Sequence, residues 1–221
     1  MFDIIGDIHG HYRPLITLLE KLGYQNINGT YQHPSRKAIF VGDLIDRGPE
    51  QIEVYQLVRQ MVEHGAAQVV MGNHELNAVL WTMENPQQKG HFLRPHTTAN
   101  LKQHQTFLNQ VIEGSSLHQE IIEWFKTLPL WIETQGLRVI HACWLPEAIE
   151  TLKRLDIIDS NAKIKNIHAW QSIGQKHSEA YQAVETLLKG IEFELPNGLS
   201  FLDKDGKKRT QARVKWWLSE E

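Results

Sequence analysis

Three short polar runs, each opening where an apolar run stops, constrain this 221-residue chain more than any other feature. Gly6-Asp7-Ile8-His9-Gly10 follows Phe2 to Ile5 and Gly42-Asp43-Leu44-Ile45-Asp46-Arg47-Gly48 follows Ala38 to Val41. Gly72-Asn73-His74-Glu75 follows Ala66 to Met71. Each apolar run has strand length, and a glycine at its end permits the sharp turn that delivers the polar residues. Between the runs, Leu15, Ile16, Leu18, Leu19 and Leu22 recur at helical spacing up to Gly23. Ile52, Val54, Tyr55, Leu57, Val58, Met61 and Val62 do the same as far as Gly65. An alternating β-α-β-α-β order implies parallel strands with right-handed crossovers and a ligand site at their carboxyl ends. All three polar runs then converge on one edge of a sheet.

Downstream, residues 98 to 127 read as mainly helical, and a helical cap insertion is expected over 85–127. Leu130 to Thr134 and Leu137 to Ile140 suggest two strands about Gln135-Gly136, the second delivering His141 as the earlier strands deliver their ligands. Residues 146 to 155 and 179 to 189 are helical candidates, and the stretch from Gly198 through Asp203-Lys204-Asp205-Gly206 to Trp217 suggests a hairpin. With 41% hydrophobic residues and no Ser/Gly-rich or Pro-rich linker, one domain over 1–221 is expected. A net charge of −3 gives no global attraction to nucleic acid, and a stable nucleic-acid complex is not expected. One cysteine, no secretory pattern and no apolar run near the roughly 20 residues of a membrane span point to a soluble, cytoplasmic protein with no membrane partner.

Asp7, His9, Asp43, Asn73 and His141 form a mixed nitrogen and oxygen ligand set that suits Mn²⁺, Fe, Zn²⁺, Ni²⁺ or Co²⁺ better than Ca²⁺. If Asp43 bridges two divalent ions, Mn²⁺ foremost, their surplus charge can hold a phosphoryl group together with an attacking hydroxide. Arg47 can clasp phosphate oxygens through two parallel N–H bonds. His74, beside a ligating Asn73, can donate a proton to the leaving oxygen, and Asp46 can orient its ring. Each residue alone has an ordinary reading as turn, helix cap or polar loop. Their joint placement at successive strand ends favours the catalytic one.

The order Gly-Asp-x-His-Gly, Gly-Asp-x-x-Asp-Arg-Gly, Gly-Asn-His-Glu and His-Ala across residues 3 to 143 resembles the calcineurin-like metallophosphoesterases, in particular the Ser/Thr protein phosphatase type and its bacterial relatives. The resemblance implies an α/β fold, an αββα sandwich of two mixed β-sheets flanked by helices. It implies that one metal is held by Asp7, His9 and Asp43, and the other by Asp43, Asn73 and His141 with one further histidine. It also implies Arg47 on phosphate and His74 as proton donor paired with Asp46.

Two departures from that pattern bear on substrate. Met71 stands where eukaryotic protein phosphatases carry an arginine, as in bacterial branches that include symmetrical dinucleoside tetraphosphate hydrolases and the phosphatase module of polynucleotide kinase-phosphatases. Arg213, in a basic run from Lys204 to Lys215, is the candidate to supply the missing phosphate contact. No Gly-His pair follows His141 to provide the last ligand, and the chain stops at Glu221, soon after Trp216-Trp217, so a domain shortened at its C-terminus is expected. Cys143 lacks the arginine six residues on that a thiol phosphatase needs, because position 149 is Ile, and is read as a packed thiol. Trp144 is a candidate base-stacking surface, and His91, His96 and His104 are taken as exposed cap histidines. Three functions follow: a phosphatase acting on phosphorylated small molecules, nucleotides or phosphoproteins; a symmetrical diadenosine tetraphosphate hydrolase; or a weakly catalytic phosphate-binding protein lacking a full second metal site.

Overall fold

β1 (Phe2–Ile5) leads through α1 (Tyr12–Lys21) and the hairpin β2 (Gln25–Ile27) and β3 (Thr30–Gln32) into β4 (Lys37–Phe40), then α2 (Gln51–Glu63) and β5 (Ala67–Val69). This computed structural model describes all residues except 135, 203–205, 207 and 219–221, and not the side chain of Asn197. β4 lies between β1 and β5, parallel to both, with Ile5 opposite Phe40 and Phe40 opposite Val69. The expected parallel unit is therefore present, and its three carboxyl ends are adjacent. α1 buries Leu15 and Leu19, and α2 buries Val54, Tyr55, Leu57, Val58 and Met61, the stripes their spacing predicts. The β2–β3 hairpin was not anticipated. Its signal is Asn28-Gly29, whose two positive φ angles, 52° and 91°, suit a tight turn between twisted strands.

After β5 comes α3 (Asn73–Thr82), which carries polar residues in its first turns yet is buried without interruption from His74 to Trp81. A helix so buried lies within the core. α4 (Thr98–Val111) and α5 (Ser116–Lys126) pack beside α2 and α3. Thr97 and Ser115 start them by accepting the backbone N–H of Asn100 and His118. Their inward residues Phe107, Ile121 and Phe125 are fully buried and belong to the same cluster as Phe40, Leu44 and Leu76. Each such burial contributes roughly 1.5–3 kcal/mol.

β6 (Trp131–Thr134) and β7 (Leu137–Ile140) form the expected antiparallel pair. Val139 packs with Ile39 of β4 and Val70, with Val41, Ile132 and Leu137 at the margin, so the hairpin covers one face of the parallel sheet. The sandwich interior is thus a small three-stranded parallel sheet against a two-stranded antiparallel one. α6 (Pro146–Arg154), α7 (Ile167–Gly174) and α8 (Glu179–Lys189) follow and pack on one another, with α8 also reaching α3. Beyond them β8 (Glu192–Glu194) pairs with β11 (Gln211–Arg213), and β9 (Phe201–Leu202) pairs with β10 (Lys208–Arg209). The anticipated C-terminal hairpin is the β9–β10 pair; its turn at Asp203, Lys204 and Asp205 lies outside the described residues.

Candidate active site

The three polar runs meet because their loops touch through backbone. A Cβ on Gly42, at φ +87°, would lie 2.3 Å from the nitrogen of Gly72, and one on Gly72 would lie 2.4 Å from the nitrogen of Asp43. No side chain fits between the ends of β4 and β5 there. Glu75 fastens the same junction. Its buried carboxylate accepts the backbone N–H of Asp43 at 2.8 Å, of Leu44 at 2.8 Å and of Gly72 at 2.9 Å. One side chain of the third run thereby satisfies donors of the second, a role that the sequence reading left unassigned. The loops are held in demanding conformations: His9, Asp43, Asp46 and Arg47 all have positive φ, between 48° and 75°. Such geometry costs roughly 1–3 kcal/mol per residue and is sustained only by a tightly fixed surround.

Asp43 is central. One of its carboxylate oxygens is 3.6 Å from His9 Nε2 and 3.8 Å from His74 Nε2, and the other is 3.5 Å from His141 Nε2. Asp7, 58% exposed, comes within 3.7 Å of His9 Nε2 from the open side. Asn73 Oδ1 lies 3.2 Å from His141 Nε2. The structure therefore brings together Asp7, His9, Asp43, Asn73, His74 and His141. Two overlapping clusters with metal-ligand spacing result, Asp7, Asp43 and His141 in one and His9, Asp43 and His74 in the other.

The donor chemistry of this set calls for cations. His9 Nδ1 donates to the Ile45 carbonyl at 2.9 Å, and His141 Nδ1 donates to the Val41 carbonyl at 2.6 Å. Those bonds fix the tautomers and turn both Nε2 lone pairs inward. His9 Nε2 is buried with no hydrogen-bond partner among the described residues, and burial lowers the pKa of its imidazole, which favours the neutral form that can ligate. At His141 the inward lone pair faces the amide oxygen of Asn73 and a carboxylate oxygen of Asp43. Acceptors crowded in this way repel one another unless a positive ion lies among them, so the residues present fit divalent metals.

Beside the cluster, His74 Nδ1 donates to Asp46 Oδ2 at 2.5 Å, and His104 Nδ1 donates to Asp46 Oδ1 at 2.9 Å. Asp46 is thus a buried carboxylate clamped between two imidazoles. Burial alone would raise its pKa, but the His104 and His74 hydrogen bonds outweigh that and hold it below the ordinary value. Burial likewise opposes charge on His74, but the Asp46 bond and the Asp43, Asp46 and Glu75 carboxylates carry its pKa above the usual imidazole value. His104, expected to be an exposed cap histidine, is instead 3% exposed and oriented onto Asp46. Its position on the stripe shared with Phe107, Leu108 and Val111 was the available signal.

Arg47 is exposed at the mouth, where its charge acts on His9. Arg213 does not join the site: its exposed guanidinium sits 3.8 Å from Glu192 across the β8–β11 pair. Met71 is fully buried in the core. His168 and His177, the two histidines that follow His141 in the chain and so could supply the further ligand the resemblance implies, are both exposed, and neither enters the metal-ligand clusters. Cys143 is wholly buried, and burial pushes its thiol pKa up, as suits packing rather than nucleophilic attack. Trp144 meets Arg138 over its ring at 5.0 Å and Trp131 edge-on at 6.2 Å.

The profile of the calcineurin-like phosphoesterases matches residues 1–202. A bis(5'-nucleosyl)-tetraphosphatase PrpE, designated asymmetrical, from Bacillus velezensis is 32% identical over 180 residues, 80% of this chain and 68% of that protein. The protein of the same name from Oceanobacillus iheyensis is 39% identical over 141 residues, 63% of this chain and 54% of its own length. That from Bacillus subtilis is 37% identical over 144 residues, 64% and 57% respectively. The chain thus spans little more than half the length of the latter two relatives. With the family profile running from the first strand through β9, this chain belongs to the calcineurin-like phosphoesterase family.

Proposed function

We propose that this protein is a dinuclear-metal-dependent phosphoester hydrolase, and that its substrate is a dinucleoside tetraphosphate cleaved away from its midpoint. The observation that carries the first part is the convergence of acceptor atoms from Asp7, His9, Asp43, Asn73 and His141 beside the buried His74–Asp46 pair. The names of the relatives support the second part and move the dinucleotide reading from equal halves to unequal products. Asp7, His9 and Asp43 would hold one ion, and Asp43, Asn73 and His141 the other. When bound, two divalent ions, Mn²⁺ by preference, supply Lewis-acid polarisation of the phosphoryl oxygens and a hydroxide nucleophile at neutral pH. Arg47, exposed at the mouth, binds the phosphoryl oxygens through its planar guanidinium and favours the charge that grows on them. His74, kept protonated by Asp46, hands its Nε2 proton to the leaving oxygen. The 85–127 segment supplies His104 and belongs to the same domain. A cytoplasmic location fits the single, buried cysteine. Among the described residues no helix is long and apolar enough to cross a membrane.

Incubation with diadenosine tetraphosphate and Mn²⁺ is expected to release ATP and AMP in equal amounts. Formation of ADP alone would reject off-centre cleavage, and turnover of p-nitrophenyl phosphate with an untouched dinucleotide would reject the substrate assignment.

His104 positions Asp46, and its loss has a defined consequence. His104→Ala removes a buried charge-assisted hydrogen bond, worth about 1.5–3 kcal/mol, and lets the Asp46 pKa rise. kcat is expected to fall by roughly 10- to 100-fold with KM little changed, the acid limb of the pH–kcat profile to move to higher pH, and His104→Asn to recover part of the loss. A wild-type pH profile in the Ala variant would show that His104 serves packing alone.

A further inference from the structure

A second cavity lies one helical turn from the catalytic pair. It has a volume of about 190 Å³ and is lined by Asn77, Arg94, Lys176, Tyr181, Glu185 and Lys189, among others. α3 connects it to the site, since Asn73 and His74 open that helix and Asn77 follows on the next turn. Arg94 is tied to the same helix through its backbone N–H, which donates to the Leu80 carbonyl at 3.0 Å. Its Nη2 donates to Gln103 Oε1 at 2.8 Å, and the residue after Gln103 is His104, which holds Asp46.

The charge in this cavity is unbalanced. Lys189 pairs with Glu185 at 2.5 Å and is neutralised. Arg94 and Lys176 have no carboxylate partner among the described residues, and Arg94 Nε is buried without an acceptor. Partial burial opposes the charge on Arg94, and the more distant Asp46, Glu185 and Tyr181 only partly offset it. A half-buried guanidinium whose one side-chain hydrogen bond among the described residues goes to a neutral amide is costly to keep, and an anion would remove that cost. The volume is below the roughly 300 Å³ at which pockets begin to take drug-sized molecules, so the fitting ligand is a compact charged group and not a whole nucleoside.

We propose that this cavity is an anion subsite in which Arg94 and Lys176 bind the phosphate groups of the substrate that are not attacked, and so select polyphosphate-bearing substrates over simple phosphomonoesters. The inference rests on phosphoester hydrolysis at the adjoining site. It supplies, from the segment before α4 and the loop before α8, the cation that the buried Met71 does not provide. Off-centre cleavage would leave a triphosphate on one side of the scissile bond, more anionic charge than Arg47 alone is placed to balance.

The test compares diadenosine tetraphosphate with p-nitrophenyl phosphate in wild type, Arg94→Ala, Arg94→Lys and Lys176→Ala, all loaded with Mn²⁺. The ratio of kcat/KM for the dinucleotide to that for the monoester is expected to fall at least tenfold in Arg94→Ala, mainly through KM, and severalfold in Lys176→Ala, with Arg94→Lys between them. Inorganic tripolyphosphate, used as a competitive inhibitor of monoester hydrolysis, is expected to lose affinity in the same order. Equal losses on both substrates, or an unchanged inhibition constant in both alanine variants, would overturn the subsite. Should Arg94→Ala not fold, the exposed Lys176→Ala decides alone. A wild type that ignores the dinucleotide sinks the substrate assignment, while tripolyphosphate competition still decides the subsite. If no substrate turns over, calorimetric binding of tripolyphosphate that is lost in Lys176→Ala supports the subsite, and no binding overturns it.

Discussion

His74→Asn is expected to lower kcat by about 10²–10⁴-fold, the range of a positioned general acid, while both metal ions stay bound. The prediction separates two roles that geometry alone allows. His74 Nε2 stands 3.8 Å from Asp43 Oδ2, close enough to belong to a ligand cluster with His9. Its Nδ1, however, is bound to Asp46, and against the opposing effect of burial that bond and the carboxylates around the ring raise its pKa above the usual imidazole value. A protonated imidazole has no lone pair for a metal but has a proton to give. Metal analysis of the variant is therefore the telling readout: two ions with slow turnover identifies an acid, and one ion identifies a ligand. Substrates with very good leaving groups, such as p-nitrophenyl phosphate, should suffer less than alkyl or nucleotide esters, because their leaving oxygen has less need of the proton.

The second large effect concerns Glu75, a residue with no direct part in the chemistry. Glu75→Ala would leave three buried backbone donors, those of Asp43, Leu44 and Gly72, without an acceptor. At about 1–3 kcal/mol for each unpaired group, the loss rivals the 5–15 kcal/mol by which domains are ordinarily stable. The variant is expected either not to accumulate as folded protein or to unfold well below wild type in a thermal melt. Where it folds, metal affinity should drop, because the loops carrying Asp43 and Asn73 are no longer tied together. Glu75→Gln keeps one oxygen for the Asp43 and Gly72 donors but turns its amide N–H₂ toward Leu44, so it should lie between the two. A melting temperature for Glu75→Ala within a few degrees of wild type would show that the junction is held by other means.

Much of this arrangement can be read before any coordinates are seen, and the reason is local. Each ligand loop begins where an apolar run meets a glycine, so strand, turn and ligand are encoded within about ten contiguous residues. Parallel order follows from the α1 and α2 stripes, and the delivery of His141 by β7 follows from one more run of the same kind. What escaped the reading depends on contacts between distant segments. His104 meets Asp46 across 58 residues of sequence, and a helical histidine looks the same on paper whether it points to water or to a buried carboxylate. Arg94 precedes α4 in a segment with no periodicity, and what sets it apart, the absence of a carboxylate partner among the described residues, is something no motif can report. Charge alone points to Arg213, but the β8–β11 pairing sets it 3.8 Å from Glu192. Glu75 closes the Gly72-Asn73-His74-Glu75 run, but its partners are backbone amides, and these have no sequence signature.

The two candidate metal positions differ in charge, and that difference offers the most direct test. In the proposed assignment, Asp7, His9 and Asp43 would bring two carboxylates to the first, and Asn73 and His141 would add only neutral donors to Asp43 at the second. Chelator-stripped protein titrated with Mn²⁺ under calorimetry, with hydrolysis followed in parallel, is expected to bind two ions per chain in two steps. The first should be tighter, and activity should rise only with the second. His141→Ala should abolish the weaker step and the activity while sparing the tighter one. Full activity after a single ion, or turnover that survives complete removal of metal, would contradict the account.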